Sequence, residues 1–462
     1  MPSPIDEPRL QDILQHAVKP SSAEIRDIAD KARECKGLTL EESARLLQVE
    51  APQDLEVMFD AAKHVKRTIY GDRIVLFAPI YISNECANNC VYCGFRRDNK
   101  TMDRITLTTE QLREEIKIVE DMGHKRVIIL YGEHPKNSVQ RMVEDVQTIY
   151  SVRSGNGEIR RVNVNAAPLS YEEFCELKPS GIGTFQVFQE TYHRETYKRM
   201  HPSGRKADYD WRVTVWDRCF PSGIDDMGLG PLYGLYDYKF ETLAVLQHAE
   251  YLDHTYGVGP HTISVPRLEP AEGAPVSCQP PYPLTDDDFR KLVAVIRMAV
   301  PYTGMILSTR ESPQMRHECL ELGISQISAA SSVAPGGYKQ RLEQDGDAPQ
   351  FTVCDCRSAD EVILDVAKLG YIPSFCTACY RSERTGQEFM AYAKPGEIHN
   401  YCLPNALLTF EEYLLDYASE ETRKVGEKLI EDNIAAMNGS GLAKTLRERI
   451  AAIKAGQRDL YF

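Results

Sequence analysis

Two groups of cysteines stand out among the thirteen in this chain. In the first, Cys86-Ala-Asn-Asn-Cys90-Val-Tyr-Cys93-Gly-Phe, three thiols fall within eight residues. Thiolates so spaced converge on one face of an iron–sulfur cluster if the loop folds around it, and Asn84, Asn88, Asn89 and Gly94 suit such a loop. Three thiolates are one short of a closed tetrathiolate site, which leaves the fourth iron open to a small ligand. A zinc site completed by a distant fourth ligand also fits the spacing. The second group is Cys376-Thr-Ala-Cys379 followed by His399-Asn-Tyr-Cys402. It reads either as a Cys₃His zinc set or as Cys376, Cys379 and Cys402 on a second [4Fe–4S] cluster.

These groups need a scaffold. Short apolar runs, mostly rich in β-branched residues and bounded by Gly, Pro or Asn, recur at 74–82, 126–131, 162–166, 184–188, 224–229, 262–265, 305–308 and 324–329. Helical stretches separate them, which predicts buried parallel strands in an α/β fold, a (β/α)₈ barrel that is complete or slightly open. The clearest helix follows Thr108 and Gln111, a capping-box pair, with Leu112, Ile116 and Val119 on one face and Gly123 at its end. The first seventy residues read as helices, one capped by Thr39 and another over 54–69. Past Pro335-Gly336-Gly337 the strand rhythm fades, and helices are expected over 409–437 and 442–455, broken at 438–441. The expected units are an N-terminal helical extension (1–72), the barrel (73–340) and a mainly α-helical C-terminal domain carrying the second cysteine group (341–462). The first group directly follows the first strand, at the end where barrel active sites lie.

Composition narrows the partners. With 54 basic and 68 acidic residues the net charge is −14, which disfavours a general nucleic-acid or anionic-membrane binder. No stretch approaches the roughly twenty apolar residues of a membrane span, and the first ten residues lack signal-peptide features. A cytoplasmic, reducing setting is expected, where clustered cysteines bind metal rather than form disulfides.

The first cysteine group resembles the radical S-adenosylmethionine (SAM) superfamily, whose pattern is CxxxCxΦC with an aromatic at Φ, here Tyr92. The resemblance implies a [4Fe–4S] cluster on Cys86, Cys90 and Cys93, with SAM on its open iron and a 5′-deoxyadenosyl radical as the reactive species. It implies that Tyr92 contacts the adenine and that Gly132 and Glu133 form the turn binding SAM's amino group, with Tyr131 in place of that turn's usual first glycine. Glu190 would hold the ribose hydroxyls and Arg212 the carboxylate.

Residues 70–81 through the first group, and the Cys376–Lys394 stretch through Cys402-Leu-Pro-Asn-Ala-Leu, resemble the tyrosine lyases that mature [FeFe]-hydrogenase. The resemblance covers nearly the whole chain, and Glu383 stands where glycine is expected. It implies a second [4Fe–4S] cluster on Cys376, Cys379 and Cys402, with an additional iron held by His261 and a free cysteine. Arg310, after the seventh strand, would clamp the substrate carboxylate in a planar fork, with Ser308 beside it and Ser328 as a weaker contact. The implied reaction cleaves L-tyrosine at Cα–Cβ to p-cresol and dehydroglycine, and turns the latter into CO and cyanide for an Fe(CO)₂(CN) precursor of the hydrogenase cluster. The implied partners are a ferredoxin or flavodoxin as electron donor and downstream maturation proteins. Three other readings compete: the tyrosine lyase of thiamine thiazole synthesis, a non-catalytic iron–sulfur scaffold and a zinc-stabilised structural protein. Cys354 and Cys356 flank Asp355 without a clear role, and Cys35, Cys175, Cys219, Cys278 and Cys319 read as ordinary reduced residues.

Overall fold

The longest strand, β1 (Arg73–Ser83), is buried along all eleven residues, as its run of Ile, Val, Leu and Phe requires. The computed structural model describes residues 3–343, 349–437 and 439–462. Seven further strands follow: β2 (Arg126–Tyr131), β3 (Arg161–Asn165), β4 (Phe185–Gln186), β5 (Met227–Leu229), β6 (Thr262–Ser264), β7 (Gly304–Leu307) and β8 (Gln326–Ser328). Each pairs in parallel with the next, and β1 pairs with both β8 and β2, so the ring closes. The eight strands are the eight expected from sequence, in a closed (β/α)₈ barrel. The helix after β1, Thr109–Asp121, carries the Thr108–Gln111 capping box, and Thr39 forms another with Glu42.

A ninth strand, β9 (Ile372–Ser374), was not expected. It pairs in parallel with Arg73–Val75, below the stretch Ala78–Ser83 that pairs with β2. Three residues, one of them Pro373, leave no strand periodicity to read, and a proline suits an edge position. The C-terminal region thus adds a strand at the foot of β1, opposite the end that leads into Cys86. At about 3.3 Å per residue, β1 separates its two ends by roughly 30 Å.

The C-terminal helices are His399–Asp416, Glu420–Ala436 and Gly441–Lys454. The helical stretch expected over 409–437 breaks at 417–419, where Ser419 accepts a hydrogen bond from Thr422 N and starts a new helix. Its first part begins ten residues early, at His399, and carries Pro404 inside it. Of the expected break at 438–441, Asn438 lies outside the described residues. Cys354 and Cys356 sit on irregular backbone. The thirteen cysteines are all free. No helix among the described residues is long and apolar enough to cross a membrane.

Candidate active site and a second cysteine cavity

The first cysteine loop is tied down by backbone and by one arginine. Ala87 N donates to Glu133 O (2.8 Å), Asn89 N to Ser203 O (3.2 Å) and Val91 N to Met200 O (3.1 Å). Arg104 donates to the carbonyls of Asn84 and Phe95 (2.9 Å each), Arg96 (2.6 Å) and Asn99 (2.8 Å). Sequence reading missed Arg104, because nothing local says that its fork will close this loop. Burial pushes the Cys90 thiol up to about 12 and also raises Cys93. Thiols held this way stay protonated until a metal centre takes their sulfurs as thiolates.

Gly132, at the end of β2, meets the same loop. A Cβ there would lie 2.3 Å from Glu85 O and 3.2 Å from Cys86 Cβ, so no larger residue allows the approach. Glu133 accepts from Asn88 Nδ2 (2.7 Å). Tyr131 turns its hydroxyl to Asp145 (3.0 Å). The Tyr92 hydroxyl meets His201 Nε2 at 2.8 Å, while His201 Nδ1 lies 2.8 Å from Tyr197 O. That pairing suits a neutral imidazole donating from Nδ1, and burial holds His201 well below the usual range.

Glu190 has a left-handed backbone, φ +70, and an ion pair to Lys206 at 2.7 Å. Such a conformation in a non-glycine residue is strained and tends to mark functional sites. Arg212 spends Nε on Phe188 O (2.7 Å), and its guanidinium makes no other hydrogen bond among the described residues. The Arg310 guanidinium stacks 3.3 Å from the Phe351 ring centroid and pairs with no carboxylate among the described residues. Burial lowers its pKa from the ordinary value. Ser308 Oγ accepts from Arg310 N (3.4 Å), and Ser328 Oγ is buried without a partner.

Cys86, Cys90, Cys93, Tyr92, Gly132, Glu133, Glu190, Arg212, Ser308, Arg310 and Ser328 all line one cavity of about 240 Å³ at the C-terminal mouth of the barrel. Phe77, Ile128 and Ile306 give it an apolar floor. Asn88 lines it with the loop it was expected to serve, and Lys206 and Gln350 line it without having been foreseen; Gln350 bridges Tyr81 OH (2.8 Å) and Cys93 Sγ (3.6 Å).

The second group is assembled at the other end. Cys376 follows β9, Cys379 lies on the single turn Ala378–Arg381, and Cys402 lies in the first turn of His399–Asp416. With His261, at the foot of β6, they line a separate cavity bounded by Arg73, Arg126 and Tyr380. His261 Nε2 is 3.3 Å from Tyr380 OH and its Nδ1 is 3.3 Å from Asp226 Oδ1. His399 bonds the Gly396 carbonyl and does not line the cavity. Arg73 Nε and Nη1 and Arg126 Nε are buried with no hydrogen-bond partner. An unpaired buried cation is costly, so an anionic group among the three sulfurs would suit this cavity. A single zinc needs ligands at 2.0–2.3 Å from one centre. Among the described residues no group of three or more His, Cys, Asp or Glu side chains is arranged to hold a single metal ion.

Comparison with known proteins agrees with this geometry. Residues 80–248 match the Radical SAM superfamily model, and 264–372 match the Biotin and Thiamin Synthesis associated domain. The 2-iminoacetate synthase of Escherichia coli K12 is 31% identical over 345 residues, covering 74% of this chain and 88% of the relative. The chain therefore belongs to the radical SAM superfamily, and it is a radical SAM lyase.

A crystal structure of HydG, a maturase of the [FeFe]-hydrogenase, is 51% identical and superposes with a TM-score of 0.95, covering 99% of this chain and all of that one. HydG from Carboxydothermus hydrogenoformans is 38% identical with a TM-score of 0.84 and covers 96% of this chain and 97% of its own. Within the superfamily, the chain belongs to the HydG family.

Proposed function

We propose that this lyase works at two places, cleaving L-tyrosine at the barrel mouth and converting the dehydroglycine to CO and cyanide at the second cysteine cavity. The product would be an Fe(CO)₂(CN) precursor for [FeFe]-hydrogenase, passed to downstream maturation proteins in a reducing cytoplasm. The observation that carries this reading is the gathering of Cys376, Cys379, Cys402 and His261 in one cavity at the far end of β1. A [4Fe–4S] cluster with bound SAM, on Cys86, Cys90 and Cys93, supplies the 5′-deoxyadenosyl radical once a ferredoxin or flavodoxin has reduced it.

The chain's own residues then have separable tasks. Tyr92 lies against the adenine, the Gly132–Glu133 turn receives the amino group, Glu190 accepts from the ribose hydroxyls and Arg212 takes the SAM carboxylate. Arg310, free of any carboxylate among the described residues, forks onto the tyrosine carboxylate, and Ser308 and the unpartnered Ser328 hydroxyl complete the contacts. Hydrogen-atom loss from the substrate amino group to the 5′-deoxyadenosyl radical lets the Cα–Cβ bond break into dehydroglycine and a 4-hydroxybenzyl radical, which becomes p-cresol on taking one proton and one further electron from the same donor. Phe77, Ile128 and Ile306 keep water from the imine, which water would hydrolyse. In the second cavity, Cys376, Cys379 and Cys402 would hold a second [4Fe–4S] cluster, and His261 would hold an additional iron together with a free cysteine. Arg73 and Arg126 balance its negative charge. The same reading divides the chain into units 1–72, 73–340 and 341–462.

Similarity to 2-iminoacetate synthase over 345 residues favours a second reading, in which dehydroglycine is simply released for thiazole synthesis. One double variant separates the two. Cys376→Ser with Cys379→Ser should keep p-cresol formation within about twofold and lose the infrared bands of iron-bound CO and cyanide. A wild type that forms p-cresol but shows no such bands would leave release of dehydroglycine as the function, and equal bands from wild type and variant would leave the C-terminal cysteines with no catalytic role.

A further inference from the structure

The charge of this protein is unevenly spread. The chain is acidic overall, at −14, yet the surface beside the first cysteine loop is basic. Arg97, Lys100, Lys198, Arg199 and Arg205 are all exposed there. Hydrogen bonds show that they form one surface although they come from two segments. Arg97 Nη2 reaches Ser203 Oγ (3.4 Å), and Lys100 Nζ reaches Arg97 O (3.2 Å). Arg199 is the penultimate residue of the helix Arg194–Met200, whose last carbonyl accepts from Val91 N (3.1 Å), one residue from Cys90. The basic surface therefore lies one layer of peptide from the thiols.

Some nearby acids are committed to internal bonds, while Glu195 and Asp103 are exposed with no cation partner among the described residues. Asp98 pairs with Arg97 (3.1 Å) and Asn89 (2.7 Å), Asp210 pairs with Arg194 (2.6 Å), and Asp208 caps the helix Tyr209–Val213. Lys100, Lys198 and Arg199 have no carboxylate partner among the described residues; the bonds seen are Lys100 to a carbonyl and Arg199 to Thr196 Oγ1 (3.0 Å). Free cations on an otherwise acidic molecule make a local attractive field within repulsive surroundings. Such a field orients an approaching acidic protein as well as attracting it.

We propose that this basic surface docks the one-electron donor, and that the donor is an acidic redox protein which presents carboxylates around its own redox centre. The inference rests on the lyase chemistry of the first cysteine loop and not on the fate of dehydroglycine. In each transfer the donor loses one electron, and that electron, delivered at the Cys86–Cys93 loop, cleaves the C5′–S bond of SAM to methionine and the deoxyadenosyl radical. None of the three unpaired cations touches the cavity, so their role is in encounter and orientation.

The test is a Lys100→Glu, Lys198→Glu, Arg199→Glu variant of the reconstituted enzyme. 5′-Deoxyadenosine formation is followed with dithionite and, separately, with flavodoxin hydroquinone. With dithionite, wild type and variant should react at equal rates. With flavodoxin the variant should be about tenfold slower or more. Raising salt from ~50 to ~300 mM should slow the wild type and leave the variant unaffected. A variant as fast as wild type with flavodoxin overturns the docking surface. A variant that is also slow with dithionite overturns it too, because the three cations would then act within the site. A wild type that forms no 5′-deoxyadenosine with dithionite refutes the lyase reading beneath the proposal.

Discussion

The two cysteine sites of this protein are built in opposite ways. The first is local: Cys86, Cys90 and Cys93 sit on one loop, and the rest of the barrel mouth closes around them. The second is assembled from a distance, with Cys376 and Cys379 after β9, Cys402 on a helix, His261 below β6 and Arg73 at the start of β1. Their electrostatics differ as well. At the mouth the carboxylates of Glu190 and Glu133 have cations, Lys206 and Arg205 respectively, while Arg212 and Arg310 pair with no carboxylate among the described residues, which suits a zwitterionic ligand that exchanges partners. At the foot, Arg73 and Arg126 are buried without hydrogen-bond partners, which suits a permanent anionic group.

The largest effect should come from breaking the local site. Replacing Cys86, Cys90 or Cys93 with Ala should abolish 5′-deoxyadenosine and p-cresol together, while iron retained by the second group survives. Chemical iron analysis beside product chromatography would show this; undiminished 5′-deoxyadenosine from any of the three would move SAM cleavage away from this loop.

Arg310→Lys keeps the charge but loses the fork and much of the stacking on Phe351. Tyrosine binding should weaken by about 1.5–3 kcal/mol, roughly one to two powers of ten in Kd, and SAM binding should not change. Calorimetric titration with each ligand separates the two; an unchanged tyrosine Kd in both Arg310→Lys and Arg310→Ala would make the residue structural.

The smallest effect has opposite signs in two states. Arg73→Met removes a buried, unpaired cation and should stabilise the metal-free protein by on the order of 1–3 kcal/mol. The same change should make the second group lose iron faster to a chelator. Thermal melting of metal-free protein and the rate of iron release measure the two halves. A variant that loses stability when metal-free would show that Arg73 is already satisfied without an anion.

How much of this was legible follows from the same contrast. The run at 126–131 reads as β2 to the residue, because a buried parallel strand must be continuously apolar. The runs at 184–188 and 224–229 shrink to Phe185–Gln186 and Met227–Leu229, since only those residues find partners in the ring. β9 has no pattern of its own; it exists because β1 extends past its neighbours. The Ser419 cap, followed by Glu420 and Glu421, was a signal in plain view that a long apolar stretch concealed. The three cysteines of the loop announce themselves by spacing. Lys206 and Arg104 do not, because each acquires its part only from carbonyls and carboxylates brought from elsewhere in the chain.

β1 also acts as a ruler. Arg73, at its first residue, is a wall of one cavity, and Ser83, at its last, leads within three residues to Cys86 in the other. The spacing of the two cavities is therefore set by a count of residues in one fully buried strand, and loops elsewhere can lengthen or shorten without altering it. Removing two residues from β1 would draw the ends together by roughly 7 Å and keep each side chain on its face. Removing one would turn every side chain beyond the cut to the opposite face, so the length of this strand can change only in steps of two.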